Sequence, residues 1–169
     1  MLDLLKLWVV DNPRGSFMVA AYRVANYASR KKFEAFYLNF IWAAPILAFY
    51  KLISEFILNY EIPAATKIGK NLKIHHGYAI VINKHAILGD NLELRHGVTI
   101  GCKTLPDGSQ GASPRIMNNV EFGANAIIIG DVVVGDNVKI GAGCVVTKDI
   151  ESDSVVVGNP ARKVEMNEK

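Results

Sequence analysis

The sequence predicts a β-solenoid: a chain wound into triangular coils of 18 residues, each with three six-residue sides, preceded by a helical region. Apolar residues recur every sixth position. One column runs Phe122, Ile128, Val134, Ile140 and Val146. A second, offset by two, runs Val120, Ala126, Val132, Val138, Cys144 and Ile150. An earlier block shows Ile82, Leu88, Leu94 and Ile100 beside Ile80, Ala86, Leu92 and Val98, and Ile62, Ile68 and Ile74 keep the same interval. Gly-x-Asn recurs at 69–71, 89–91, 123–125 and 135–137, and both residue types tolerate the left-handed backbone that sharp corners require. Sides this short cannot bury a face alone, so stacked coils must share one core.

Residues 1–60 follow a different grammar. They hold most of the aromatic residues, and Met18, Ala21, Tyr22, Val24 and Ala25 recur at helical spacing, as do Leu47, Phe49, Tyr50, Ile53, Phe56 and Ile57. The expectation is two or three helices over 1–60, broken near Asn12-Pro13-Arg14-Gly15, then the solenoid over 61–169. Residues 36–58 nearly reach membrane-spanning length. Pro45, Lys51 and Glu55 argue against a span and favour a helix in a subunit interface or on a membrane surface.

Composition narrows the function. Half of the 169 residues are hydrophobic, 21% are charged and the net charge is +3, which fits a folded protein with little affinity for nucleic acid. Only "SRKK" at 29–32 approaches a basic block. Cys102 and Cys144 are too few for a disulfide framework and suit a reducing compartment. The N-terminus, with an acid at position 3, makes a poor signal peptide, so a cytoplasmic location is expected, at the inner face of a membrane.

The six-residue beat breaks twice. Between Ile74 and Ile82 lie eight residues where six belong, and they include His75, His76 and Tyr78. The stretch "CKTLPDGSQGAS" at 102–113 is a polar, glycine-rich excursion between Ile100 and a restart near Val120. Such excursions from a tight solenoid point to function.

The units "IGKNLK", "FGANAI", "VGDNVK" and "IGAGCV" resemble the hexapeptide-repeat acyltransferases. That resemblance implies a left-handed parallel β-helix, against the general preference for right-handed crossovers. It also implies a homotrimer with active sites between subunits. Residues 61–163, "EIPAATKIGKNLKIHHG…GVTIG…GNPAR", resemble the serine acetyltransferase branch. The acetyltransferases of colanic acid biosynthesis are more similar still, over nearly the whole chain, through "MVAAYRVA", "WAAPILAFYKLISEF", "YEIPAATKIG", "IHHGYAIVINK" and "LRHGVTIG".

The resemblance implies transfer of acetyl from acetyl-CoA to a hydroxyl, which needs a base, oxyanion donors and a clamp on the coenzyme. His76 matches the catalytic base, and Glu61 matches its acidic partner. His75 stands where the serine enzymes carry an acid that grips the amino acid, and Ser113 stands where they carry a loop histidine. Both departures favour a sugar hydroxyl of an exopolysaccharide or capsule repeat unit, lipid-linked in one version, with His75 contacting it. His96, 20 residues after His76, is expected one coil up at the same corner, as an acceptor contact or as the base itself. Coenzyme contacts carry over to Ala124, Ala142, Thr147, Lys148 and Arg162, and Gly101 is the candidate oxyanion donor. Loop 102–113 is expected to fold over a neighbour's site.

Three alternatives stand beside this reading. A serine O-acetyltransferase would need the two missing residues. A metal-dependent β-helix enzyme would need three of His75, His76, His85 and His96 on one zinc ion, and their spacing does not match, so no metal is expected. A non-catalytic trimeric scaffold would release no thiol from acetyl-CoA.

Overall fold

The structure, a computed structural model, describes residues 12–31 and 36–164. Trp8, Phe33 and Lys32 of the sequence reading lie outside the described residues. From Lys67 onward the chain turns through three parallel sheets. Face one stacks Lys67–Ile68, Ile87–Leu88, Arg115–Ile116 and Val133–Val134. Face two stacks Lys73–Ile74, Glu93–Leu94, Glu121–Phe122, Lys139–Ile140 and Val155–Val157. Arg162–Val164 closes it in antiparallel fashion. Face three stacks Val81–Ile82, Thr99–Gly101, Ile127–Ile129 and Val145–Val146. The architecture is a left-handed parallel β-helix.

Every residue of the apolar columns from Ile62 to Ile150 points inward and is buried in one cluster. The register measures the two breaks. Arg115 pairs with Val133 and Val81 with Thr99, 18 residues apart. Lys73 pairs with Glu93, 20 apart, so the extra two residues lie between Ile74 and Val81. Thr99 pairs with Ile127, 28 apart, so the second break adds ten residues after Gly101. The coil resumes at Arg115, earlier than the expected Val120, because Arg115 and Ile116 already pair with Ile87 and Leu88.

The Gly-x-Asn corners divide their labour. Asn71, Asn91, Asn125 and Asn137 take the left-handed conformation, with φ between 54° and 58°. The paired glycines do not; they allow close approach. A methyl on Gly89 would sit 2.6 Å from the Met117 carbonyl oxygen, and one on Gly69 would sit 2.5 Å from that of Gly89. Along the first corner, Asn71 donates to Asn91 (2.9 Å), Asn91 to Asn119 (2.9 Å), Asn119 to Asn137 (3.0 Å) and Asn137 to the Asp153 carboxylate (2.8 Å). All four bonds run in one direction, so their dipoles reinforce one another.

The helical region closes the open end of the solenoid. Helix α1, Pro13–Lys31, starts at the break seen in the sequence. Asn12 Oδ1 accepts the Gly15 amide (3.1 Å) as N-cap, and Pro13 needs no partner in the first turn. A first coil leaves carbonyls that a preceding coil would have bonded, and α1 supplies donors for them. Asn12 Nδ2 donates to Ile74 O (2.6 Å), Arg14 Nε to Gly77 O (3.0 Å) and Tyr22 OH to Thr66 O (2.7 Å). Arg23 donates to Ile68 O and Gly69 O, and Asn26 to Ala64 O (2.7 Å). Met18, Tyr22 and Ala25 join the solenoid core.

Helix α2, Phe36–Lys51, contains Pro45 and runs into a π-helical turn, Leu52–Ile57. No helix of the described residues is long and apolar enough to cross a membrane. Its buried side carries Ala43, Tyr50 and Ser54, whereas Phe49, Phe56 and Ile57 of the predicted apolar set are exposed.

Two substitutions test these contacts. Alanine normally stabilises a helix over glycine by about 1 kcal/mol. At Gly15 the methyl falls on the Ile74 carbonyl oxygen, so Gly15→Ala is expected to lower the urea midpoint. Asn119→Ala loses two amide bonds at φ 57° and should cost about 1–3 kcal/mol in urea unfolding. Asn119→Gly should recover the backbone share.

Candidate active site

The corner between faces two and three carries the first break. In regular coils one residue there is left-handed: Gly97, Asn125 and Gly143. The first coil has two, Ala79 (φ 53°) and His76 (φ 65°). Ala79 is the regular corner residue, 18 before Gly97. His76 is the additional one, thrown outward by the extra two residues. A left-handed histidine costs about 1–2 kcal/mol, and such outliers gather at functional sites.

The sequence placed His96 one coil above His76. The structure places it above Tyr78. Gly97 N bonds Tyr78 O (3.0 Å), Asn125 N bonds His96 O (2.9 Å) and Gly143 N bonds Ala124 O (2.8 Å). The corner column is therefore Tyr78, His96, Ala124, Ala142: two rings followed by two methyls. Tyr78 stacks on His96 with centroids 4.8 Å apart and planes 16° apart. His76 meets His96 edge-on at 5.9 Å and 71°. His96 Nδ1 is buried and has no hydrogen-bond partner, an uncommon state for a buried nitrogen. Above His96 the column shrinks to alanine, leaving a shallow groove that the rings end.

His75 sits beside this corner on face two. Its Nε2 lies 3.4 Å from one oxygen of Glu93, whose other oxygen receives Lys73 Nζ at 2.6 Å. The bond from Lys73 holds the Glu93 carboxyl below its usual range. That carboxylate is already occupied by two cations or near-cations. Glu93 was missed in the sequence; its signal was its place one coil above Lys73. Tyr78 was visible but unassigned, because its register follows face three and not face two.

Other predicted residues lie elsewhere. Glu61 faces outward from face three, bridging Val81 through its backbone. Among the described residues no hydrogen bond joins it to His76. Gly101 ends the third strand side beside the loop, and its carbonyl accepts Gly130 N (3.0 Å). Thr147 and Lys148 line a cleft of about 340 Å³ at the C-terminal end, together with Glu151 and Lys163. Arg162 lies outside that cleft and pairs with Val157. Lys163 was also missed; it is one residue beyond "GNPAR". His85 sits apart on an exposed turn. Among the described residues no three His, Cys, Asp or Glu come together as a metal cage.

The second break is an ordered hairpin. Thr104 and Gln110 form a bridge, and Leu105 N bonds Ser109 O (2.8 Å). The Asp107 carboxylate accepts the Ser109 hydroxyl (2.6 Å) and amide (2.9 Å), which hold its pKa below the usual range. At its roots, Ser113 Oγ donates to Asn83 Oδ1 (3.1 Å) and Asn83 Nδ2 to Cys102 Sγ (3.4 Å). This places the hairpin at the corner between faces three and one, not at the histidine corner. Face three stands between them, about five residues or roughly 16 Å of strand.

Known proteins share this arrangement. The "Bacterial transferase hexapeptide (six repeats)" family matches residues 113–148. The colanic acid biosynthesis acetyltransferase WcaB of Escherichia coli K12 is 50% identical over 147 residues, covering 86% of this chain and 87% of its own length. The chain belongs to the hexapeptide-repeat acetyltransferases. As a member of that family it is an acyltransferase. The crystal structure of Neisseria gonorrhoeae serine acetyltransferase superposes with a TM-score of 0.73 at 29% identity, over 92% of this chain and 55% of that one. A serine acetyltransferase complex with CoA gives 0.69 at 25% identity, over 89% and 56%. The chain thus spans about half the length of these solved acetyltransferases.

The Tyr78–His96 stack can be read directly. Tyr78→Ala removes a ring current from His96, so its imidazole proton resonance should move downfield while that of His85 stays. Tyr78→Phe should leave both in place. Equal shifts in all three proteins would mean that the rings do not stack in solution.

Proposed function

We propose that this acetyltransferase moves acetyl from acetyl-CoA directly to a hydroxyl of a saccharide, in an exopolysaccharide or capsule repeat unit of the colanic acid kind. The observation that carries the reading is the ring cluster at the first break. His76 is exposed and edge-on to a clamped His96, with an aromatic plate, Tyr78, beside it. His76 serves as the general base: an alcohol is a weak nucleophile until its proton is taken as the bond forms, and an imidazole suits that role near neutral pH. His96 orients the His76 ring, and its unpartnered Nδ1 is available to an acceptor hydroxyl. Tyr78, 44% exposed, offers a flat apolar surface with a polar edge, suited to the C–H face of a sugar ring.

Serine fits this corner poorly. Its ammonium needs a free carboxylate, and position 75 is an imidazole whose neighbour Glu93 is already taken by Lys73. Likeness to serine acetyltransferases supports the fold and the coenzyme more than it supports the amino acid.

The coenzyme arm lies along the groove over Ala124 and Ala142, where side chains are smallest. From the coil of Lys73 to that of Val155 is four strand spacings, about 19 Å at ~4.8 Å each. Lys148 and Lys163 in the C-terminal cleft supply charge for the nucleotide phosphates, with Thr147 beside them. Arg162 borders this end, and Gly101 remains the candidate amide for the oxyanion. Glu61 serves the His76 imidazole once its side chain turns toward the corner.

Because face three separates the hairpin from the histidine corner, the hairpin and Gly101 complete a site with His76 of another copy. A homotrimer with three composite sites follows, working in the cytoplasm at the membrane face where repeat units are built.

Thiol release from acetyl-CoA, measured with saccharides and L-serine side by side, tests the reading. Transfer to saccharides is expected, with His76→Ala slowing it by about 10²–10⁴-fold and Glu61→Gln by less. Serine acetylated as fast as the sugars would sink the acceptor assignment. Mixing His76→Ala chains with chains lacking 104–112 should restore part of the activity that each lacks alone, since some mixed sites then hold both intact parts. No restoration would make the hairpin a same-chain element.

A further inference from the structure

We propose that the helical end of the molecule docks on an anionic bilayer and holds the His76 corner at the membrane surface, where a lipid-carried acceptor would reach it. The starting point is an apolar excess on α2. A helix apolar on all sides belongs inside a protein or against lipid, yet only one side of α2 meets the rest of the chain. Ile41, Pro45, Phe49, Leu52 and Phe56 fall within about 80° of one another at 3.6 residues per turn. Ile41 is 75% exposed, Phe49 63% and Phe56 78%. On α1, Phe17, Val24 and Tyr27 are exposed as well. Tyr27 rests against Trp42, with centroids 6.4 Å apart, which joins the two apolar sets. A continuous patch of this kind marks an interaction surface.

Charge selects the occupant. Residues 1–60 hold seven Lys and Arg against four Asp and Glu, and the remainder holds twelve against twelve. The whole net charge of +3 therefore belongs to the helical region. Among the described residues of that region the single acid is Glu55, and it faces Lys51 at 3.9 Å. A second copy would set two equally cationic surfaces against each other. A surface of anionic lipid headgroups would neutralise them, at about 1 kcal/mol per basic residue near the surface, while the aromatic stripe enters the headgroup layer.

Position gives the docking a purpose. The donors of α1 grip Ile74 O and Gly77 O, the residues on either side of His75 and His76. The histidine corner thus belongs to the coil nearest the helices, and the coenzyme groove runs away from them toward the C-terminal cleft. Docked helices would keep the acceptor end at the lipid and the nucleotide end in water. The acceptor half of this inference rests on the saccharide reading above; the docking half does not.

Flotation of the full chain with phosphatidylcholine vesicles, with and without phosphatidylglycerol, is the test. Binding to the phosphatidylglycerol vesicles is expected, weakening as salt rises. The double variant Phe49→Asp, Phe56→Asp should bind at least about ten-fold more weakly, with an unchanged melting temperature and unchanged thiol release to a water-soluble saccharide. The single Ile41→Ser variant, a milder change, should show a smaller loss. No binding by the parent chain, or equal binding by the double variant, would overturn the proposal. A loss of subunit assembly in light scattering on the same substitutions would also overturn it and give the surface to a second copy. Failure of saccharide transfer with vesicle binding intact would remove the acceptor and leave the docking.

Discussion

Everything in this molecule depends on one constraint: each coil must lie a single strand spacing above the last, with its backbone groups facing their partners. Two or three residues per side give little burial by themselves. The stack holds because inward side chains share one apolar column and because corners repeat in register. Glycine lets consecutive coils approach at Gly69 and Gly89, and asparagine takes the left-handed turn and bonds the asparagine above it. A one-residue error at any corner would send the whole column to the outer surface.

Under that constraint an insertion can only be expelled. Two extra residues between Ile74 and Val81 cannot enter the column, so His76 is pushed outward while Ala79 keeps the regular turn. Ten extra residues after Gly101 leave as a hairpin pinned at Asn83. The solenoid is thus a ruler, and its two departures from period are the places where chemistry is displayed. Local rules that fail in an otherwise consistent sequence commonly mark function.

The helices answer a different demand of the same constraint. A solenoid has an end, and an end exposes carbonyls. Side chains of α1 meet them one after another, from Asn12 to Asn26, while Met18 and Tyr22 finish the core. The side of α2 left over after this capping is what remains for a membrane. Capping also explains why the helical region lies next to the histidine corner: the first break is in the first coil.

Sequence alone determined the solenoid, its 18-residue coil, both interruptions and the column of Ile, Val and Leu, because period is a property of the chain that stacking merely reads out. The left-handed asparagines were legible for the same reason. Tertiary structure decided three things that periodicity could not. Tyr78, not His76, lies beneath His96, since an insertion shifts register after it and not before it. The hairpin and the histidines occupy different corners, since a corner is defined only once the coil closes. Glu93 joins His75 and Lys73 only because a full turn of backbone brings residues 20 apart within a hydrogen bond.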